Sequence, residues 1–70
     1  NKQIKNIDVQ IILQEPKLVQ YLELIQENIG KLLNLNKENI NVKVTSTDKL
    51  GLIGSGDGIG TLCAVNLIKL

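Results

Sequence analysis

Seventy residues with a net charge of +1 make a chain with room for one domain at most. The near balance of charge argues against nucleic acid or an acidic membrane as partner, and no apolar run approaches the ~20 residues needed to span a bilayer. A single cysteine, Cys63, cannot form an internal disulfide, and with no histidine the chain cannot build a structural zinc site of its own. A hydrophobic content of 43% is high for so short a piece, so part of the apolar surface is expected to be covered by other protein. There is no initiating Met and no basic-plus-apolar leader, and the chain reads as soluble and as the tail of something longer. All basic residues are Lys, which together with many Asn and Ile points to an AT-rich genome.

In chain order, Asn1 to Asn6 is polar and reads as a ragged entry. Ile7-Asp8-Val9-Gln10-Ile11 alternates, and Ile12 and Leu13 extend the apolar run, so a strand is expected. Gln14-Glu15-Pro16 ends it, with Pro16 suited to the first position of a helix. From Lys17 the spacing changes. Leu18, Tyr21, Leu22, Ile25, Ile29, Leu32 and Leu33 recur at intervals of three and four, which predicts an amphipathic helix of about four to five turns. Glu27 and Lys31 are spaced for an i,i+4 pair, and Gly30 lets the helix approach a sheet closely. Asn34 to Asn39 is turn chemistry, with Asn36 able to cap a short turn. Ile40-Asn41-Val42-Lys43-Val44 alternates as a second strand, expected to run parallel to the first in a βαβ unit. Ile59 to Leu70 is almost wholly apolar and predicts a strand buried on both faces. Tyr21, the only aromatic, is expected in core or interface, and Cys63 as a small buried hydrophobe.

The chemistry gathers between the second and last strands. Thr45, Ser46 and Thr47 place hydroxyls in succession, and Asp48, Lys49 and Asp57 add charge. Gly51, Gly54, Gly56, Gly58 and Gly60 add backbone freedom. Glycines before a buried strand also mark plain turns or bulges, and Asp48 also suits a helix N-cap. Two nucleotide motifs are excluded: Gly54-Ser55-Gly56-Asp57-Gly58-Ile59 does not end in Gly, and Lys49 is followed by Leu50, where a P-loop needs Ser or Thr. At the end of a parallel strand, the three hydroxyls can donate to phosphate oxygens in the crevice where α/β sheets bind ligands. Asp48 can hold Mg²⁺, which combines one or two carboxylates with substrate phosphates.

Val42-Lys43-Val44-Thr45-Ser46-Thr47-Asp48-Lys49-Leu50-Gly51, followed by Gly54-x-Gly56-Asp57-Gly58-Ile59, closely resembles the C-terminal half of the 2-C-methyl-D-erythritol 2,4-cyclodiphosphate synthase family. Ile7-Asp8-Val9, Ile11-Ile12 and Pro16-Lys17 extend the likeness over essentially the whole chain. The resemblance implies an α/β (α+β-like) β-α-β-loop-β fragment with one mixed sheet and helices on one face. It would form residues 1–70 of a single synthase domain whose N-terminal half is absent here.

The implied reaction converts 4-diphosphocytidyl-2-C-methyl-D-erythritol 2-phosphate to the cyclic diphosphate and CMP, in the non-mevalonate route to isoprenoids. The implied assembly is a homotrimer with active sites between subunits, using zinc and a second divalent ion, Mg or Mn. The zinc ligands would come from the N-terminal half. Asp48 would reach the second cation, where the family usually has Glu. Ser46 matches a catalytic Thr thought to stabilise the transition state. Thr45, Ser46, Thr47 and Asp48 match the phosphate segment, and Leu13, Gln14, Glu15, Pro16, Lys17, Leu18 and Val19 the loop that receives cytosine. Leu52 stands where the family often has Phe, and Ser55 where many members have Arg. The last strand would line the subunit interface or the core. The implied setting is a plastid-like organelle (apicoplast) in a eukaryote and otherwise the cytoplasm. Two rivals are a nucleotide-binding domain without turnover and an inactive oligomerising module.

Overall fold

A computed structural model describes all residues from Asn1 to Leu70. Three strands carry the fold: β1 (Lys2–Ile12), β2 (Ile40–Thr45) and β3 (Gly60–Lys69), with helix α1 (Leu22–Leu33) between the first two and one-turn α2 (Gly51–Gly54) between the last two. Short 3-10 turns at Val19–Tyr21 and Lys37–Asn39 lead into α1 and β2. The sheet order is β2-β1-β3, so it is mixed. β2 runs parallel to β1, from Ile7 opposite Ile40 to Ile12 opposite Thr45. β3 runs antiparallel, from Lys2 opposite Lys69 to Ile12 opposite Gly60, with an irregularity between Ile4 and Asn6.

The pleat sorts the two faces. Ile7, Val9 and Ile11 lie opposite Ile40, Val42 and Val44, forming the apolar face on which α1 sits. Asp8 and Asn41 point the other way, and the Asn41 amide donates to the Asp8 carboxylate at 3.0 Å. On the same polar face Asn66 donates to Asn6 at 2.8 Å. α1 approaches β2 closely because Gly30 has no side chain: a Cβ there would stand 2.9 Å from the Leu35 carbonyl oxygen and 3.3 Å from Ile40 Cδ1. Ile40, 3% exposed, is the most buried large side chain.

Several expectations are corrected. Asn1–Asn6 is not a ragged entry: β1 begins at Lys2, because β3 returns alongside it and the Leu70 amide donates to the Asn1 carbonyl at 2.9 Å. Pro16 does not open a helix. It lies in a bend with a cis Glu15-Pro16 bond, and α1 begins at Leu22 after the Val19–Tyr21 turn, so the helix has twelve residues. It ends at Asn34, whose left-handed φ of 53° lets its amide return to the Gly30 carbonyl. Glu27 does not pair with Lys31; Lys37 takes both acids, at 2.7 Å from Glu23 and 3.9 Å from Glu27. Asn36 does occupy the cap position of the Lys37–Asn39 turn, but through its carbonyl, which accepts from the Asn39 amide at 2.9 Å.

The largest correction concerns β3. It is an edge strand, exposed beyond Gly60, with Leu62 at 62% and Leu67 at 54%. Only β1 flanks it and α1 lies over β2, so nothing in this chain covers it. Cys63 is accordingly exposed and not a core residue. No apolar side chain is fully buried, and Ile11 and Ile40 come nearest to it. The radius of gyration is 14.0 Å over an envelope of 44 × 21 × 15 Å, against about 11 Å for a compact domain of this length.

Between β2 and β3, the glycines build a turn. The Gly54 amide donates to Leu50 and the Ser55 amide to Gly51, closing α2 as one helical turn. Leu50 holds the cap position of α2, so Asp48 is not its N-cap. Gly54 is buried against the Lys49 backbone, where a Cβ would fall 2.1 Å from the Lys49 carbonyl carbon. That separation is far inside the distance at which nonbonded carbons can approach, and a backbone atom cannot rotate away as a side chain would. In the full-length protein, Gly54→Ala is therefore expected to cost at least ~3 kcal/mol in urea unfolding. Gly58→Ala, whose Cβ would meet Leu52 at an ordinary 3.5 Å, should change stability by about 0.5 kcal/mol or less.

The Glu23–Lys37 pair ties α1 to the turn before β2. The Lys37 hydrogen bond, and then its charge, hold the Glu23 carboxyl below its ordinary value. The hydrogen bond to Glu23 in turn raises Lys37. A depressed acid contributes stability above its unfolded value and loses it as pH falls through the folded one; a raised Lys contributes below its unfolded value and loses it as pH rises through the folded one. Both groups are solvent-exposed, so the effect is small and screened by salt. Stability measured through the acid carboxylate range should fall less steeply in Glu23→Gln than in wild type, and molar salt should erase the difference.

Candidate active site

Parallel pairing brings the C-terminal ends of β1 and β2 to one edge of the sheet. Ile12 lies opposite Thr45, and one residue further the Leu13 amide donates to the Thr45 carbonyl at 2.9 Å. The loop after β1 and the segment after β2 therefore leave the sheet side by side. Between them is a cavity of about 160 Å³ lined by Leu13, Pro16, Lys17, Leu18 and Val19 from the first and Val44, Thr45 and Ser46 from the second. Pockets for drug-sized ligands occupy roughly 300–1,000 Å³; this one suits a single planar ring. Its lining combines apolar Leu13, Leu18, Val19 and Val44 with the hydroxyl residues Thr45 and Ser46. A larger depression of about 380 Å³ beside α1 is lined by Gln26 and Lys37. There the Gln26 amide is committed to the Lys37 and Ile40 carbonyls and Lys37 to Glu23, which leaves little free chemistry, so the sheet-edge cavity is the better candidate.

The polar segment divides by role. The Ser46 hydroxyl oxygen accepts from the Asp48 amide at 3.3 Å, which leaves its proton free to donate outward. The Thr47 hydroxyl donates to the Leu50 carbonyl at 2.6 Å, and Leu50 returns its amide to the Thr47 carbonyl at 3.1 Å. Thr47 therefore closes the turn, and of the three expected free donors two remain, Thr45 and Ser46. Asp48 and Lys49 both adopt left-handed backbone, φ 54° and 69°, a conformation costing ~1–3 kcal/mol per non-glycine residue. The Lys49 amide donates to Gln14 Oε1 at 3.0 Å. Asp48 is exposed and enters none of the ion pairs of the chain, so its carboxylate is free.

Of the other expected site residues, Lys17 lines the cavity, while Glu15, Leu52 and Ser55 lie outside it. Glu15 and Lys17 face one another at 3.8 Å on the surface. Leu52, 74% exposed, sits on α2 and lines no part of the cavity. Ser55 follows α2, its hydroxyl within reach of the Leu52 carbonyl at 3.0 Å and Asp57 Oδ2 at 2.8 Å. Sequence reasoning did not single out Val44, which lines the cavity floor, or the tie between Gln14 and Lys49. Strand alternation could have found the first, since Val44 shares the apolar face of Val42. The second joins residues 35 apart and leaves no local signal.

No three His, Cys, Asp or Glu side chains come together anywhere in the chain. A zinc centre does not fit the residues present. One free carboxylate beside two hydroxyl donors does fit a hard divalent cation that takes its other ligands from phosphate oxygens and water.

A family model described as the YgbB family matches residues 1–68. The chain belongs to the YgbB family. This YgbB chain is 44% identical over 69 residues to a 2-C-methyl-D-erythritol 2,4-cyclodiphosphate synthase of Clostridium perfringens, a match covering 99% of this chain and 44% of that protein. Among solved structures, the bifunctional IspDF of Campylobacter jejuni superposes with a TM-score of 0.91 at 42% identity, covering 94% of this chain and 18% of that one. The Plasmodium falciparum IspF CDP complex superposes with a TM-score of 0.92 at 35% identity, covering 97% and 44%. The YgbB chain thus spans less than half the length of the relatives it matches.

The engagement of Thr47 is directly testable. Thr47→Val removes one turn hydrogen bond while keeping shape, and should lower the stability of the full-length protein by ~1 kcal/mol, whereas Thr45→Val, at a hydroxyl with no bond inside the chain, should leave denaturant unfolding unchanged.

Proposed function

We propose that these residues form the C-terminal part of a 2-C-methyl-D-erythritol 2,4-cyclodiphosphate synthase. The enzyme would act as a phosphorus–oxygen lyase on 4-diphosphocytidyl-2-C-methyl-D-erythritol 2-phosphate. The observation that carries this reading is the single cavity where the Leu13–Val19 loop meets Thr45 and Ser46. The sequence resemblance assigns those two segments separately to cytosine and to phosphate. The CDP named for the P. falciparum structure supports a cytidine nucleotide as ligand.

In this reading the cytosine ring enters the cavity against Leu13, Pro16, Leu18 and Val19, and backbone groups of the loop read its edge. The diphosphate then passes the rim. Thr45 and Ser46 donate to its oxygens, and Asp48 is the residue that would hold a divalent cation, Mg or Mn. That cation, when bound, neutralises phosphate charge. An oxygen of the 2-phosphate attacks the phosphorus distal to cytidine and a new P–O bond forms. The bond from that phosphorus to the bridging oxygen breaks, and the oxygen leaves with its electron pair as CMP. Ser46 donates to oxygens on which charge grows during the displacement, and the segment acts by holding reactants in line.

Zinc would be held by residues outside this chain. Exposed β3, with Leu62 on one face and Val65 and Leu67 on the other, would meet neighbouring subunits of a homotrimer or the N-terminal half of the same domain. No helix is long and apolar enough to cross a membrane. A plastid-like organelle is the setting proposed for a eukaryotic host, and the cytoplasm for a bacterial one.

The full-length protein, supplied with zinc and Mg²⁺, is expected to release CMP from the substrate. Ser46→Ala should lower kcat by about 100-fold. Asp48→Asn should raise the Mg²⁺ concentration for half-maximal activity by about 10–100-fold. Calorimetry that finds no binding of CMP or CDP would overturn the reading; binding without turnover would favour a nucleotide-binding domain, and trimerisation without either an oligomerising module.

A further inference from the structure

We propose that Gln14 is a positioning residue that couples the base-receiving loop to the cation- and phosphate-facing turn. The inference rests on the nucleotide reading above and deepens it. Gln14 leaves β1 two residues past its last paired position, half-buried, and its side chain crosses to the other segment instead of lining the cavity. Its Oε1 accepts from the Lys49 amide at 3.0 Å. A backbone N–H can only donate, so the amide orientation is fixed by its partner.

The geometry at Lys49 explains what this bond holds. Asp48 and Lys49 are consecutive non-glycine residues in left-handed backbone, φ 54° and 69°. Such a pair persists only where its surroundings hold it. Within the turn, Leu50 bonds Thr47 and the Asp48 amide bonds Ser46 Oγ; from outside it, Gln14 takes the Lys49 amide and Gly54 abuts the Lys49 Cα and carbonyl from the α2 side. The Lys49 amide belongs to the peptide that follows Asp48, so fixing it sets the direction in which the Asp48 carboxylate leaves the chain. The other tie between the two segments, Leu13 amide to Thr45 carbonyl, lies at the strand end and does not reach the turn. Removing the Gln14 acceptor therefore leaves the strand-end tie in place and uncouples the cation-facing turn from the base-receiving loop. Gln14 touches no reacting atom; it acts through Asp48.

The test compares two ligands on the full-length protein by calorimetry: cytidine, which fills only the base cavity, and CDP with Mg²⁺, which also engages the turn. Gln14→Met keeps length and removes the acceptor; Gln14→Glu keeps the acceptor. In Gln14→Met, cytidine affinity should stay within about twofold while the preference for CDP over cytidine falls ~tenfold, the scale typical of residues supporting a metal ligand. Gln14→Glu should recover most of that preference. In an Asp48→Asn background Gln14→Met should add little, because both changes remove the same contribution. Unchanged preference in Gln14→Met, or equal weakening of both ligands, overturns the inference and leaves the nucleotide reading intact. Wild-type protein that binds neither ligand overturns that reading and the inference together.

Discussion

Everything at the candidate site depends on β2 lying parallel to β1 in one register. A parallel pair ends on one edge, so the two loops that follow emerge together; an antiparallel pair would send them to opposite ends of the sheet. The register is set by burial. Ile7, Val9 and Ile11 match Ile40, Val42 and Val44 on the face beneath α1, and a slip of one residue would turn every one of those side chains into solvent. Gly30 reinforces the choice, because its missing side chain lets α1 settle onto Ile40, the first residue of β2. The cavity between Leu13 and Ser46 is therefore a consequence of packing some distance below it.

The same packing is incomplete. Only Ile11 and Ile40 among the apolar side chains are close to buried, while Leu62, Leu67 and Ile68 on β3 and Leu24 and Leu32 on α1 stay exposed. Burial stabilises by about 25 cal/mol per Å² of apolar surface, so a chain that leaves so much uncovered forgoes much of what its composition could contribute. An edge strand of this length, apolar and unpaired on one side, is also a template for association. These features, and the match to less than half of each relative's length, are physically consistent with surfaces completed by further protein. The cavity fits the same view: the Leu13–Val19 loop and Val44 to Ser46 line it, and no other part of this chain closes it.

How much of this could be read from the residues depended on how local the cause was. The β1 and β2 alternation, the body of α1 and the close-packing role of Gly30 each follow from neighbours in sequence, and each is found in the structure. The failures share a distant partner. Asn1–Asn6 has no strand pattern of its own and becomes strand because β3, some sixty residues on, lies beside it. Lys37 diverts Glu27 from Lys31 because the chain turns back after α1. The apolar run of β3 carries no sign of whether its cover belongs to this chain. Pro16 satisfies the local rule for a helix start, but the loop it belongs to is already held at Leu13 by β2, and the helix begins only after the chain has turned away.

The hydroxyl-rich segment shows the limit most clearly. In sequence Thr45, Ser46 and Thr47 are equivalent donors. In the fold they are not, because one polar turn has to hold itself and present groups outward at once. Thr47 turns inward and bonds Leu50; Ser46 spends only its lone pair on the Asp48 amide and keeps its proton. That bond from Asp48 back to Ser46 is a short-range turn motif of the kind hydroxyl residues favour, and it immediately precedes the left-handed pair Asp48 and Lys49. The turn thus satisfies its backbone through Thr47 and the Ser46 lone pair, and so leaves the Ser46 proton and the Asp48 carboxylate unengaged next to each other in the chain.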